Sequence, residues 1–75
     1  MPRNPVFEVT GDLRCTLVDE KSTFEYIQQR FSERKVPDLD ALLDRLEAFL
    51  HRAETGSHHS ISGGKLTVIV TKVPR

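Results

Sequence analysis

The sequence predicts one small α+β domain, in the order β-β-α-α-(β)-β, with two helices packed on one face of a three- or four-stranded mixed sheet. Three observations predict it. Two alternating apolar runs flank Gly11-Asp12, two helical stripes meet at Val36-Pro37, and an apolar run from Lys65 to Val73 follows the Gly63-Gly64 pair.

Within residues 5–18, Phe7 and Val9, then Leu13, Cys15 and Leu17, alternate with polar neighbours, the pattern of a β-hairpin with one buried face. Ser22 followed by Glu25 has capping-box spacing and predicts the start of the first helix. Phe24, Ile27 and Phe31 share its inner face, and Arg30, Arg34 and Lys35 suit the negative pole of the dipole near its end at about residue 34. Pro37 disfavours helical geometry at Val36 and so separates the helices. Asp38 is a cap or first-turn residue for the second helix, whose Leu39, Leu42, Leu43, Leu46, Phe49, Leu50 and Ala53 form a broad stripe ending near Gly56. In the final run Leu66, Val68 and Val70 face one way and Ile69 the other, which places that strand inside the sheet, while polar Ser57 to Ser62 is ambiguous and reads either as a loop or as a short edge strand paired with it. One core is expected, built from Phe24, Ile27, Phe31, Leu39, Leu42, Leu46, Phe49, Val68 and Val70, with Cys15 buried and slow to react.

A chain of 75 residues has room for one core, so residues 1–75 read as a single domain without repeat or linker. Cys15 is the lone cysteine and closes no bridge within the chain, which makes oligomerisation, a homodimer for instance, or a bound partner the expected source of extra stability. Eleven basic and eleven acidic residues cancel, so no overall positive field gathers nucleic acid. No apolar run has transmembrane length, and Met1-Pro2-Arg3-Asn4 leads into no signal-peptide core, so a cytoplasmic location without membrane association is expected.

Nucleophilic catalysis needs a nucleophile, a base and an orienting group, and the candidates here are Cys15, His51, His58 and His59. No strained Gly-x-Ser-x-Gly turn, phosphate-cradling glycine loop or zinc-type cysteine pair accompanies them, so a non-enzymatic protein without cofactor or metal is expected. Helix two is more informative. At ~100° per residue Asp40, Asp44, Glu47 and His51 fall in one stripe beside the apolar face, while Arg45 and Arg52 project on the other flank. Like charges four residues apart cost about a few tenths of a kcal/mol. The stripe reads either as a solvated face or as a docking edge for a basic protein, and its carboxylates alone make a poor cation cage. The alternative is nucleic-acid binding through Tyr26, Arg30, Arg34 and Lys35, with Lys65, Lys72 and Arg75 as further cations.

The run Asp38-Leu39-Asp40-Ala41-Leu42-Leu43-Asp44-Arg45-Leu46 carries the pattern Leu-Asp-Ala-Leu-x-Asp-x-Leu. It resembles the second-helix segment of the barstar family of small intracellular ribonuclease inhibitors, and the preceding amphipathic helix and later apolar strand follow in a similar order. The resemblance implies that Asp40 and Asp44 face the basic active site of a ribonuclease. Lys35-Val36-Pro37 stands where that family has Tyr-x-Gly-x-Asn, Leu43 stands where it has an aromatic, and the opening hairpin has no counterpart there. The expected function is a non-enzymatic protein-binding module, an inhibitor or regulator, docking through Asp40, Asp44 and Glu47.

Overall fold

The computed structural model describes residues 5–74 and contains β1 (Val6–Gly11), β2 (Cys15–Leu17), α1 (Glu20–Glu33), α2 (Leu39–Arg52), β3 (His58–Gly63) and β4 (Leu66–Val73). The strands form one sheet in the order β2-β1-β4-β3, with α1 against β1 and β2 and α2 against β3. The α+β class is as expected, and the polar stretch whose sequence suits loop and strand alike forms the edge strand β3, His58–Gly63.

Every neighbouring pair is antiparallel, so the expected mixed sheet is corrected. The cause is the parity of the helical connection. Glu20, which opens α1, hydrogen-bonds His51 in the last turn of α2, so the two helices run antiparallel and return the chain to the end of the sheet it left. Each strand then alternates in direction, whereas a single crossover helix would have produced a parallel pair.

The inner face reads in rows across the strands: Cys15, Val9, Val70 and His59 make one, and Val68 with Ile61 belongs to the next. Phe7, Val9, Ile27, Phe31, Leu46, Leu50, Ile61, Val68 and Val70 are at most 2% exposed. Leu39, Phe24 and Phe49, expected in the core, pack at its margin and are only partly buried. Cys15 is likewise half-buried, because β2 is a three-residue edge strand with nothing paired on its far side. The opposite face of the sheet carries Glu8, Thr10, Thr67, Ile69, Ser60 and Ser62 and is exposed.

The helix ends differ from the motifs that suggested them. Asp19 is the cap of α1, three residues before the expected start: its carboxylate accepts the Ser22 amide at 2.7 Å and the Ser22 hydroxyl at 3.1 Å. Ser22 cannot open a capping box because its own amide is already taken. The same amide bond holds the Asp19 carboxyl below its ordinary range, so its contribution to stability is present at neutral pH and lost on acidification. At the other end the Val36 amide bonds Phe31 O and the Lys35 amide bonds Ser32 O, with Lys35 left-handed at φ 52°. This is a Schellman ending with lysine where glycine is usual, so hydrogen bonding closes α1 before Pro37 is reached. Asp38 is also left-handed, at φ 55°, and its side chain caps nothing, since capping requires an extended residue.

Two stability predictions follow from this packing. Leu46 is fully buried, so Leu46→Ala should cost about 2–5 kcal/mol in denaturant titration, enough to unfold much of the population. Lys35→Gly should raise stability by about 0.5–1 kcal/mol by relieving the left-handed strain. An unchanged or lowered midpoint would show that Lys35 makes a compensating contact.

Candidate functional site

α2 carries opposite charges on its two flanks because its apolar stripe, seated on the sheet and on α1, leaves one edge toward each neighbour. On the edge beside α1, Asp40, Asp44 and Glu47 are exposed, and none makes a hydrogen bond or ion pair among the described residues. The groove between the helices continues this edge. Its floor is Phe24 and Leu50, its rim holds Glu20, Glu25 and Glu47, and Lys21 and His51 also line it, in a space of about 440 Å³. The sequence stripe thus gains two carboxylates from α1, which the wheel of a single helix could not reveal.

His51 Nδ1 lies 2.6 Å from Glu20 Oε1, with side-chain exposures of 78% and 42%. The hydrogen bond to Glu20, followed by its charge, raises the His51 pKa above the ordinary 6.5. The pair ties the start of α1 to the end of α2, and a protonated His51 also favours the negative pole of α2.

The opposite flank of α2 faces β3 across a cleft of about 490 Å³. Arg45 and Arg52 line it, both exposed and neither ion-paired among the described residues; Arg52 Nε donates to Ala48 O at 3.3 Å. The wall is an aromatic stack in which Phe49 and His59 lie 5.1 Å apart, centroid to centroid, at 20°. His59 Nε2 is shielded from solvent and has no hydrogen-bond partner. The floor is held in place by Lys72, whose Nζ donates to Ala53 O at 2.8 Å and whose backbone bonds both Gly56 and Ser57. Arg45 and Arg52 were visible in sequence as one flank. Their neighbour His59 was not, because its inward placement depends on the register of β3 against β4, which pairs it with Val70.

The other candidates are dispersed. Cys15 and His59 end the same inner row at opposite edges of the sheet, three strand spacings or roughly 14 Å apart, so they form no nucleophile–base pair. His58 lies on the outer face and His51 is engaged by Glu20. Among the described residues no group of three or more His, Cys, Asp or Glu side chains is placed to hold a metal ion, and no helix is long and apolar enough to cross a membrane.

Of the proposed nucleic-acid set, the Arg30 guanidinium sits over the Tyr26 ring at 5.1 Å and pairs with Glu33 at 3.1 Å. That face of Tyr26 is covered and the Arg30 charge engaged. Arg34 and Lys35 are exposed at the far end of α1, Lys65 lies in the β3–β4 turn, Lys72 is held by Ala53 O, and Arg75 falls outside the described residues.

No protein-family model, curated protein or solved structure matches this chain.

The Glu20–His51 pair should make stability depend on pH. A histidine whose pKa rises on folding contributes fully below its unfolded value and loses that contribution as pH rises through the folded value. The melting-temperature difference between wild type and His51→Gln should therefore be larger at about pH 5 than at about pH 9. An equal difference at both would show that the pair does not form in solution.

Proposed function

We propose that this chain is a non-enzymatic protein-binding module, an inhibitor or regulator, that docks a basic partner along the acidic edge of α2 and the groove beside α1. The observation that carries the reading is the pairing of unneutralised charge with the partly exposed ring of Phe24. Asp40, Asp44 and Glu47 stand free of partners along the exposed edge of α2, and Phe24 lies in the groove that Glu25 and Glu47 also line. Clustered negative charge accelerates encounter with a basic surface, and apolar contact then slows release. The partner that fits is a protein presenting Lys or Arg around an apolar anchor. The resemblance of the helix-two segment to the barstar pattern makes basic ribonucleases the first proteins to try.

The edge also looks dispensable for folding. Asp40 and Asp44 are like charges four residues apart outside the apolar stripe, and neither bonds the backbone. Such positions tolerate substitution, so binding and stability are separable by experiment.

The experiment is stopped-flow association with a set of basic proteins, ribonucleases included, at two salt concentrations. The Asp40→Asn, Asp44→Asn, Glu47→Gln variant should associate at least about tenfold more slowly at low salt and show a flatter salt dependence. Its melting temperature should barely change. Binding by the variant at the wild-type rate, or a large fall in its melting temperature, would remove the acidic edge as the docking surface.

A further inference from the structure

We infer that the cleft between α2 and β3 binds a small phosphomonoester joined to a flat ring, with Arg45 and Arg52 taking the phosphate and the Phe49–His59 wall taking the ring. This rests on the opposite flank of α2 from the acidic edge and stands independently of it.

The charges come first. Arg45 and Arg52 are seven residues apart, on one flank and about 10 Å apart along the helix axis, within convergent reach of two guanidinium forks. Neither is neutralised by a carboxylate among the described residues, so both keep their full charge for a ligand. A phosphomonoester dianion offers three oxygens to two forks, whereas a carboxylate offers two and satisfies one fork at a time.

The shape comes next. An open space of about 490 Å³ is in the range of sites for nucleotide-sized ligands. Its wall, Phe49 stacked on His59 with the Ala48 and Ala53 methyls beside them, suits a flat ring and not a hydrated ion. His59 Nε2, shielded and without a partner, is an unsatisfied polar atom on a residue that lines the cleft. Glu54 lines the same cleft and would repel the phosphate. It matches a donor on the ligand's other end, such as a ribose hydroxyl or an amine, and so orients the molecule with its phosphate toward the arginines.

Two sources share this chemistry, a nucleoside monophosphate and a phosphorylated tyrosine. The test therefore titrates the protein, at physiological ionic strength and with calorimetry and NMR, with AMP and with O-phosphotyrosine. Adenosine, tyrosine and inorganic phosphate serve as the separate halves. One of the two phosphomonoesters should bind with a dissociation constant below about 1 mM and move the His59 imidazole resonances, while its halves bind at least about tenfold more weakly. Whichever binds more tightly identifies the source. Arg45→Gln with Arg52→Gln should weaken it at least about tenfold at unchanged melting temperature. Asp40→Asn with Asp44→Asn should leave it within about threefold. The inference falls if neither phosphomonoester saturates by about 10 mM, if the arginine variant binds as well as wild type, or if inorganic phosphate binds equally well, which would mean attraction by charge alone.

Discussion

The structure depends on the pairing of β1 with β4, which joins opposite ends of the chain through six residue pairs, from Val6 with Val73 to Gly11 with Val68. These two strands are the centre of the sheet, and each other element is placed by one of them. β2 hangs from β1 by a tight turn, β3 hangs from β4, and the helices lie over the two halves that result. Asp12 strengthens the junction: its amide donates to Thr67 O at 3.0 Å and its carboxylate accepts the Thr67 amide at 2.7 Å, so a side chain extends the ladder where the backbone turns away. Gly11 is required there, because its φ is +89° and a Cβ would meet the Thr67 carbonyl at 2.5 Å. Closing so long a loop carries a large entropic cost, and it is recovered only when the helices bury the inner face of both central strands.

What could be read from the residues was whatever repeats with a local period. The stripe of α2, the alternation of Phe7 and Val9, and the interior position of β4 with Ile69 turned outward all depend on neighbours two to four residues apart. What could not be read was set by long-range geometry. Strand direction came from the even number of helices in the connection. The ends of α1 came from competition for single amides, in which Asp19 outranks Ser22 and backbone bonds to Phe31 and Ser32 close the helix before Pro37 acts. The same division holds for the site. Asp40, Asp44 and Glu47 were legible on one helix, whereas Glu20 and Glu25 joined them only once α1 lay alongside, and His59 reached the arginine flank only through the register of β3.

With no net charge, the molecule still presents two electrostatically distinct surfaces, because α2 sorts its acids and bases to either side of one apolar stripe. Sorting forgoes the favourable pairs that interleaved charges would make along the helix, a modest loss on an exposed surface. The effect is a rigid scaffold on which an acidic groove and a cationic cleft are held back to back by the same fourteen-residue helix. A ligand in one cannot sterically occlude the other.

Along β3 the inward side chains grow in size from Gly63 through Ile61 to His59. At the narrow end a Cβ on Gly63 would overlap Val36 Cγ1 and Leu42 Cδ1, and at the wide end a whole imidazole stands between strand and helix, against Phe49. The spacer between β3 and α2 is therefore bare backbone beside Leu42 and a full ring beside Phe49. The mouth of the arginine cleft is thus a taper written into three residues of an edge strand. A methyl group added at Gly63 would press on Leu42, and through the rigid helix that displacement would reach Phe49 and Arg52 two to three turns away, without touching any residue that lines the cleft.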